Sequence, residues 1–330
     1  MAKLPQTHDS DASERNLRAR SPVNHDSVDS PCMSTELPSY VLITPARNEE
    51  EYIERTLESV IRQTVRPFKW IIVSDGSTDR TDEIVERIMA RQEWIELVRM
   101  PAGGERNFAS KVLSFNAGLN RIKDLDYGVV GNLDADLSFD SDMFEFLMGK
   151  FASNPRLGVA GAPFTEGEGM YNFRFSSTTH VSGACQLFRR RCFHEIGGYT
   201  PMGGGGVDVL AVLTARMKGW ETRTFPEKVC FHHRPMGSAR HRSARASFEL
   251  GQKDYMLGRH PLWQLFRAFY QMGRAPVAVG GVMLFAGYSW SAIRRLKRSV
   301  PADVVAFQRH EQMQRLKELF TGWTRRGEAG

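Results

Sequence analysis

Two aspartates spaced i, i+2, Asp134 and Asp136, close the apolar run Val129-Val130-Gly131-Asn132-Leu133. Residues two apart on an extended strand point to the same face. A short continuous apolar run is how a parallel strand buried on both faces reads. The pair is therefore expected at the carboxyl end of a central strand, the edge where ligands bind in open α/β sheets. Two like charges so close repel each other unless a cation lies between them. Oxygen ligands suit Mg²⁺ or Mn²⁺, ions that bridge a protein to phosphates. A polar turn closing a strand is the other reading of a lone Asp-x-Asp.

Positioning such a pair takes a sheet. Tyr40 to Thr44 reads as a first strand and Pro45-Ala46-Arg47-Asn48 as a turn. Glu49 to Gln63 follows as a helix, with Tyr52, Ile53, Leu57, Val60 and Ile61 on one face. Lys69 to Ser74 is a second strand, broken at Asp75-Gly76-Ser77-Thr78-Asp79, and Arg80 to Arg91 continues as a helix. Ile95 to Val98 is a short strand and Ala109 to Ile122 a helix. This alternation implies an α/β class with a doubly wound, mostly parallel sheet. Beyond Asp140 the order loosens. Strands are expected at Leu157 to Ala162, Gly183 to Phe188, Thr222 to Phe225 and Lys228 to His232. Gly203 to Gly206 reads as a mobile loop. Val207 to Lys218 reads as a helix with Asp208 at its start, closed by Gly219.

Size and composition set the limits. The chain has 330 residues and a net charge of +6, enough for a large core and a bias towards anionic partners. No zinc-finger spacing or aromatic-glycine RNA motif is present, so nucleic acid is not an expected partner. Cys32, Cys185, Cys192 and Cys230 form no Cys-x-x-Cys pair, which suits reduced thiols in a cytosolic compartment. Met1 to Leu17 holds no apolar h-region, so no secretory signal is expected. Residues 1–38, rich in Ser, Asp, Pro, Asn and Arg, are expected to be disordered.

The tail differs in kind. Leu262 to Met272 is rich in apolar residues, and Ala275 to Ile293 is uncharged over about nineteen residues, near the length of a bilayer span. Arg274 precedes that run, and Arg294, Arg295, Lys297 and Arg298 follow it. Basic residues at both ends fit an element at an anionic membrane surface. A buried helical hairpin is the alternative. Pro301 to Phe320 reads as a last amphipathic helix.

Taken in order, the pieces resemble a family 2 glycosyltransferase of the GT-A fold. The resemblance runs from Tyr40 to about Arg234. It rests on Thr44-Pro45-Ala46-Arg47-Asn48-Glu49, Ser74-Asp75-Gly76-Ser77-Thr78-Asp79, Lys111 with Asn116-Ala117-Gly118, and Asp134-Ala135-Asp136. Phe188-Arg189-Arg190, Ile196-Gly197-Gly198-Tyr199, and Asp208 with Arg216 and Gly219 complete it. Each piece is weak alone; together and in order they are specific.

The resemblance implies a GT-A domain over 39–235; the tail described above is read as a helical, membrane-associated extension over 236–330. It implies a non-processive, inverting transfer of one sugar from a nucleotide-sugar, a UDP-sugar first of all, in exopolysaccharide-type synthesis. The acceptor is a lipid-linked or saccharide hydroxyl. The enzyme is expected at the cytoplasmic face of the inner membrane. The turn Pro45, Ala46, Arg47, Asn48 and Glu49 is expected to hold the nucleoside. Asp75, with Gly76 and Ser77, can accept an imide N–H from uracil or guanine, which leaves the base open. Lys111 is expected near the diphosphate. Asp134, Ala135 and Asp136 would form the donor and metal site for Mn²⁺ or Mg²⁺, acting as a Lewis acid. Of the adjacent His232 and His233, only one can face the metal; His232 is the preferred ligand.

In the resembled family the base is an aspartate of a Glu-Asp pair that opens a helix after a glycine-rich loop. Asp208 occupies that position, although Val207 stands where the glutamate would be. Glu166, Glu168 and Glu195 are the alternative bases. The Gln-x-x-Arg-Trp motif of processive synthases is missing, since no Arg-Trp follows Gln252. Two rival readings share the fold: a nucleotidyltransferase, and a non-catalytic sugar-nucleotide-binding or scaffold protein. The first wants a glycine-rich loop after the first strand, where this chain has no glycine. The second has no need of Asp208.

Overall fold

The computed structural model describes residues 36–101, 108–166, 178–202, 205–234, 244–273 and 277–327. Four parallel strands form its organising half: β1 (Tyr40–Ala46), β2 (Lys69–Asp75), β3 (Ile95–Met100) and β4 (Val129–Leu133). They are joined by α1 (Ile53–Ile61), α2 (Thr81–Met89) and α3 (Phe108–Arg121). β1 lies between β2 and β4, so the winding reverses there and opens a crevice above its carboxyl end. β1, β2 and β4 are Val-, Ile- and Leu-rich and buried on both faces, as central parallel strands require.

The second half adds β5 (Leu137–Ser138), α4 (Met143–Ser153), β6 (Leu157–Gly161), β7 (Phe164–Thr165), β8 (Cys185–Arg189) and α5 (Arg190–Glu195). After these come α6 (Val207–Met217), β9 (Glu221–Thr224) and β10 (Cys230–His232). The main sheet has the order β3-β2-β1-β4-β8-β6-β9, with β8 antiparallel to both neighbours. A small sheet, β5-β10-β7, sits beside the crevice and sets His232 opposite Leu137. Alternate strand residues feed two core layers. Leu42, Trp70, Ile72 and Leu133 pack with α1 and α4, and Ile43, Val73, Val130 and Phe188 pack with α3 and α6.

The strands and helices expected as far as Asp136 are all present, with one change. β4 stops at Leu133, so Asp134-Ala135-Asp136 is the turn into β5 and not an extended strand with both carboxylates on one face. Of the elements in this half, β5, α4, β7 and α5 were not expected, although Met143, Phe144, Leu147, Met148 and Phe151 of α4 repeat at helical spacing. Residues 1–35, residues 167–177, Gly203 and Gly204 of the glycine run, and residues 235–243 lie outside the described residues.

The tail is four helices: α7 (Ala244–Met256), α8 (Pro261–Met272), α9 (Val279–Ile293) and α10 (Ala302–Gly327). Leu257 after α7 and the start of α10 dock on α6 through a core of Met202, Leu210, Leu213, Leu257, Val300, Val304 and Val305. A two-pronged ion pair, Arg216 with Glu311 at 2.9 Å for each prong, ties α6 to α10. Among the described residues no helix is long and apolar enough to cross a membrane.

Candidate active site

The crevice above β1 and β4 gathers most of the residues singled out in the sequence. Asp134, Asp136 and His232 offer one ligand atom each, all within 4.8 Å of one another. The turn that carries the aspartates is pinned from below. The buried Thr56 hydroxyl of α1 lies 2.8 Å from the carbonyls of both Ala135 and Leu137 and accepts the Leu137 N–H at 3.0 Å. The Asp134 N–H donates to Ala184 at 2.8 Å, and the Asp136 carbonyl accepts the His233 N–H at 2.9 Å. The turn is thus fixed to α1, β8 and β10 before any ligand arrives.

His232 Nδ1 sits 2.5 Å from the Arg234 carbonyl, which can only accept, so Nδ1 carries the proton. In the neutral imidazole this makes Nε2 the lone pair, 3.5 Å from Asp136 Oδ1. Fixing the tautomer through the far nitrogen is how metal-binding histidines are oriented. His233 points elsewhere: its Nδ1 accepts from Arg55 at 3.1 Å and its Nε2 donates to Ser138 at 2.8 Å. Burial, then the Arg55 and His232 charges, keep the His233 pKa below the usual value. Burial, with the Asp134 charge adding, raises the Asp136 pKa against the pull of His232, Arg234 and Lys111. Two carboxylates and an imidazole that share strain of this kind suit a divalent cation such as Mn²⁺ or Mg²⁺.

Lys111 Nζ lies 2.5 Å from Asp134 Oδ1. Desolvation opposes its charge, but Asp134, with Asp208 and Asp136 behind it, prevails and holds the ammonium pKa above the ordinary value. Lys111 therefore stands at the metal turn as a fixed cation.

The first and second turns are laced together. Asn48, in the left-handed region at φ 54°, accepts the Thr78 N–H at 2.8 Å through Oδ1, and its own N–H donates to Ser77 at 3.2 Å. The N–H groups of Glu49 and Glu50 donate to Thr81 and Asp79 at 2.8 and 3.0 Å. The Asn48 side chain is thus spent on shaping the turn. Asp75, beside Gly76 at the end of β2, accepts a hydrogen bond from Ser110 of α3 and lies 3.7 Å from Arg47. Pro45 and Ala46 end β1 and Ser77 bonds Ser74 at 3.1 Å, so the whole expected nucleoside surface lies on one rim.

Asp208 opens α6 behind Gly206, whose φ is +96°. Its Oδ2 accepts the Gly183 N–H at 3.2 Å, and the Gly183 carbonyl accepts from Asn132 Nδ2 at 2.5 Å. A Cβ on Gly183 would stand 2.9 Å from the Asp208 Cβ, so only glycine lets that amide reach the carboxylate. Asn132 Nδ2 also lies 3.4 Å from Asp134 Oδ1, which links Asp208 to the metal turn by a short polar chain. Among the alternative bases, Glu195 is ruled out by topology. β8 runs antiparallel and pairs Arg189 with Val129, so α5 starts at the opposite edge of the sheet. There Glu195 is bound by Arg191 and Trp220, each at 2.8 Å. Glu166 stays at the site, with Oε1 3.9 Å from His232 Nδ1, and Glu168 lies outside the described residues.

Sequence reasoning missed several contributors. Arg234 donates to Glu49 Oε2 at 2.5 Å and the Asn48 carbonyl at 3.0 Å, and its Nε lies 3.9 Å from Asp136 Oδ2. In the sequence Arg234 marks only the end of the family resemblance. Thr56, Ser110 and Asn132 carry no local signal at all, since their roles depend on chain segments far apart in sequence.

A mostly parallel, doubly wound sheet with a carboxylate turn at its switch point and a helical extension is a GT-A glycosyltransferase fold. The chain carries a family 2 glycosyltransferase domain: residues 41–203 match the family described as "Glycosyl transferase family 2". It is 32% identical over 129 residues to the poly-beta-1,6-N-acetyl-D-glucosamine synthase of Staphylococcus aureus (strain COL), covering 39% of this chain and 29% of that protein. It is 27% identical over 121 residues to the chondroitin synthase of Pasteurella multocida (strain Pm70), covering 37% of this chain and 12% of that one. The matches thus span less than a third of those relatives. Among solved structures, the mannosyltransferase PcManGT from Pyrobaculum calidifontis, in complex with GDP-Man and Mn²⁺, aligns with a TM-score of 0.53. That alignment covers 88% of this chain and 84% of the other at 18% identity, a likeness of fold.

Proposed function

We propose that the protein is a non-processive, inverting glycosyltransferase of cell-surface polysaccharide synthesis. It moves one sugar from a nucleotide-sugar to a hydroxyl of a lipid-linked or saccharide acceptor. The convergence of Asp134, Asp136 and His232 at the switch point, with Lys111 beside them, carries this reading. A UDP-sugar is the first donor to test. The structural neighbour holds GDP-Man, and one relative is named for a polymer of N-acetyl-D-glucosamine, so donor base and sugar are chosen by assay.

In this reading Asp134, Asp136 and His232 hold Mn²⁺ or Mg²⁺, which when bound offsets charge on the departing diphosphate. The turns Pro45–Glu49 and Asp75–Ser77 cradle the nucleoside, and Lys111 exchanges Asp134 for a diphosphate oxygen. Asp208 takes the acceptor proton as its oxygen attacks the anomeric carbon and the bond to the diphosphate breaks. The catalytic domain spans 39–235 and the helical extension 236–330. An anionic membrane at the cytoplasmic face is the partner of that extension, on the strength of the arginine-flanked apolar run. A scaffold role is disfavoured because Asp208 is wired to the metal turn through Gly183 and Asn132. The test is nucleoside diphosphate release by purified protein over a panel of sugar nucleotides, with and without Mn²⁺. Release from no donor with any acceptor fraction rejects the proposal.

A further inference from the structure

The helical layer behind α6 is built inside out. Its buried faces carry Ser247, Gly251 and Asp254 of α7, Gln264 of α8, and Gly280, Gly281, Gly287 and Ser291 of α9, with Ala268, Leu284 and Tyr288 as apolar exceptions. The backbones meet through glycine. A Cβ on Gly251 would lie 2.0 Å from the Leu284 carbonyl oxygen, and one on Gly287 would lie 2.0 Å from that of Phe248. Within this interior the Asp254 carboxylate is closed off by Arg259 at 2.6 Å and by Arg267. Small residues that bring helix backbones together, with polar groups paired between them, are how helices pack inside lipid.

The outward faces are apolar. Leu262, Leu265 and Phe269 form one stripe on α8, and Val282, Phe285 and Ile293 form another on α9. Phe269 and Ile293 are 63% and 77% exposed. A helix facing water has the reverse arrangement. Charge selects what covers these stripes. From Tyr255 to Ala302 there are seven basic residues and no acidic one, and five of the seven are left once Arg259 and Arg267 are matched with Asp254. A second copy would set like charge against like, whereas an anionic bilayer complements it. The fifteen residues of α9 reach about 22 Å, short of the roughly 30 Å hydrocarbon core, so the element lies in the plane of the surface.

The same layer is fastened to the candidate active site. Leu257, at the end of α7, packs on Gly206, where a Cβ would meet it at 2.9 Å, two residues before Asp208. We propose that α8 and α9 seat in the plane of an anionic bilayer, and that this seating holds the Asp208 end of the crevice at the headgroups. The acceptor it fits is then an amphiphile whose sugar stands just above the membrane, a conclusion that rests on the transferase reading above.

Flotation of the full chain with phosphatidylcholine vesicles, with and without phosphatidylglycerol, tests the seating. The parent is expected to float with the anionic vesicles at low salt. Phe269→Asp with Val282→Asp should weaken partitioning at least tenfold, and Lys297→Gln about fivefold. Both should keep the melting temperature and nucleoside diphosphate binding of the parent, since these side chains are exposed. A parent that stays in solution, or a double variant that floats as well as the parent, overturns the inference. So does a dimer that the double variant dissolves in the absence of vesicle binding. Failure of the transferase reading looks different: vesicle binding survives while no sugar nucleotide or nucleoside diphosphate binds the crevice.

Discussion

His232 donates its Nδ1 proton to the Arg234 carbonyl at 2.5 Å and so turns a bare Nε2 towards Asp136 Oδ1, 3.5 Å away. The neighbouring His233 is turned the other way, onto Ser138 and Arg55. Strand alternation on β10 makes this an either-or choice. His232→Ala is therefore expected to weaken Mn²⁺ binding by about 10–100-fold, whereas His233→Ala changes it only a few-fold. Titration calorimetry with Mn²⁺ alone measures both. Equal losses in the two variants would remove His232 from the ligand set.

Asp136 gives a pH dependence of defined sign. Its carboxyl pKa is raised in the folded, metal-free protein, chiefly by burial and by Asp134. A raised folded pKa means that its stabilising contribution is full below the unfolded value near 3.9 and is lost as pH rises through the folded value. Above its folded pKa the ionised, buried Asp136 weighs against the apo fold. Asp136→Asn should then raise the metal-free melting temperature at pH 7, with the gain shrinking towards pH 4. Saturating Mn²⁺ should stabilise the parent, by about 2.7 kcal/mol at a hundred times its Kd, and leave the variant nearly unmoved. A variant that melts below the parent at pH 7 without metal would contradict this.

Glycine packing in the tail makes a stability test. Gly→Ala inside a helix ordinarily stabilises by up to about 1 kcal/mol. At Gly287 the added methyl would meet the Phe248 carbonyl, so overpacking should reverse the sign and destabilise by about 1–3 kcal/mol. Urea unfolding of Gly287→Ala measures it. A neutral or positive change would mean that α7 and α9 are not in backbone contact.

The sheet was legible where one strand followed one helix, because buried parallel strands print as unbroken apolar runs. Tyr40–Ala46 and Lys69–Asp75 are of this kind. Beyond Asp140 that rhythm breaks, because β8 enters the sheet antiparallel and the small β5-β10-β7 sheet joins segments almost a hundred residues apart. The site divided in the same way. Carboxylates at strand ends, such as Asp75 and Asp134, announce themselves. Residues that act by reaching across the fold do not: Thr56 under the Asp134–Asp136 turn, Ser110 on Asp75, Arg234 on Glu49. The extended-strand picture of Asp134 and Asp136 failed because β4 ends at Leu133, and the turn that follows is held by Thr56, a residue distant in sequence. Glu195 could be set aside only once the direction of β8 was known.

Asp208 is where the proposed chemistry is most exposed to failure. An acceptor hydroxyl is a weak nucleophile until its proton is being removed, and a positioned carboxylate contributes about 10²–10⁴-fold. Asp208 lies in the first turn of α6, behind Gly206. One oxygen is held by the Gly183 N–H at 3.2 Å, which orients the group without protonating it. Asp208→Asn keeps the size and that hydrogen bond but removes the basicity. It is expected to lower kcat by two to four orders of magnitude while nucleoside diphosphate and Mn²⁺ binding stay near the parent values. Asp136→Ala should instead lose both turnover and binding, because it strikes the metal turn. If Asp208→Asn retains most of its turnover, Asp208 is only a helix-start carboxylate. The base would then be sought at Glu166, whose Oε1 is 3.9 Å from His232. A Glu166→Gln variant assayed in parallel separates the two outcomes.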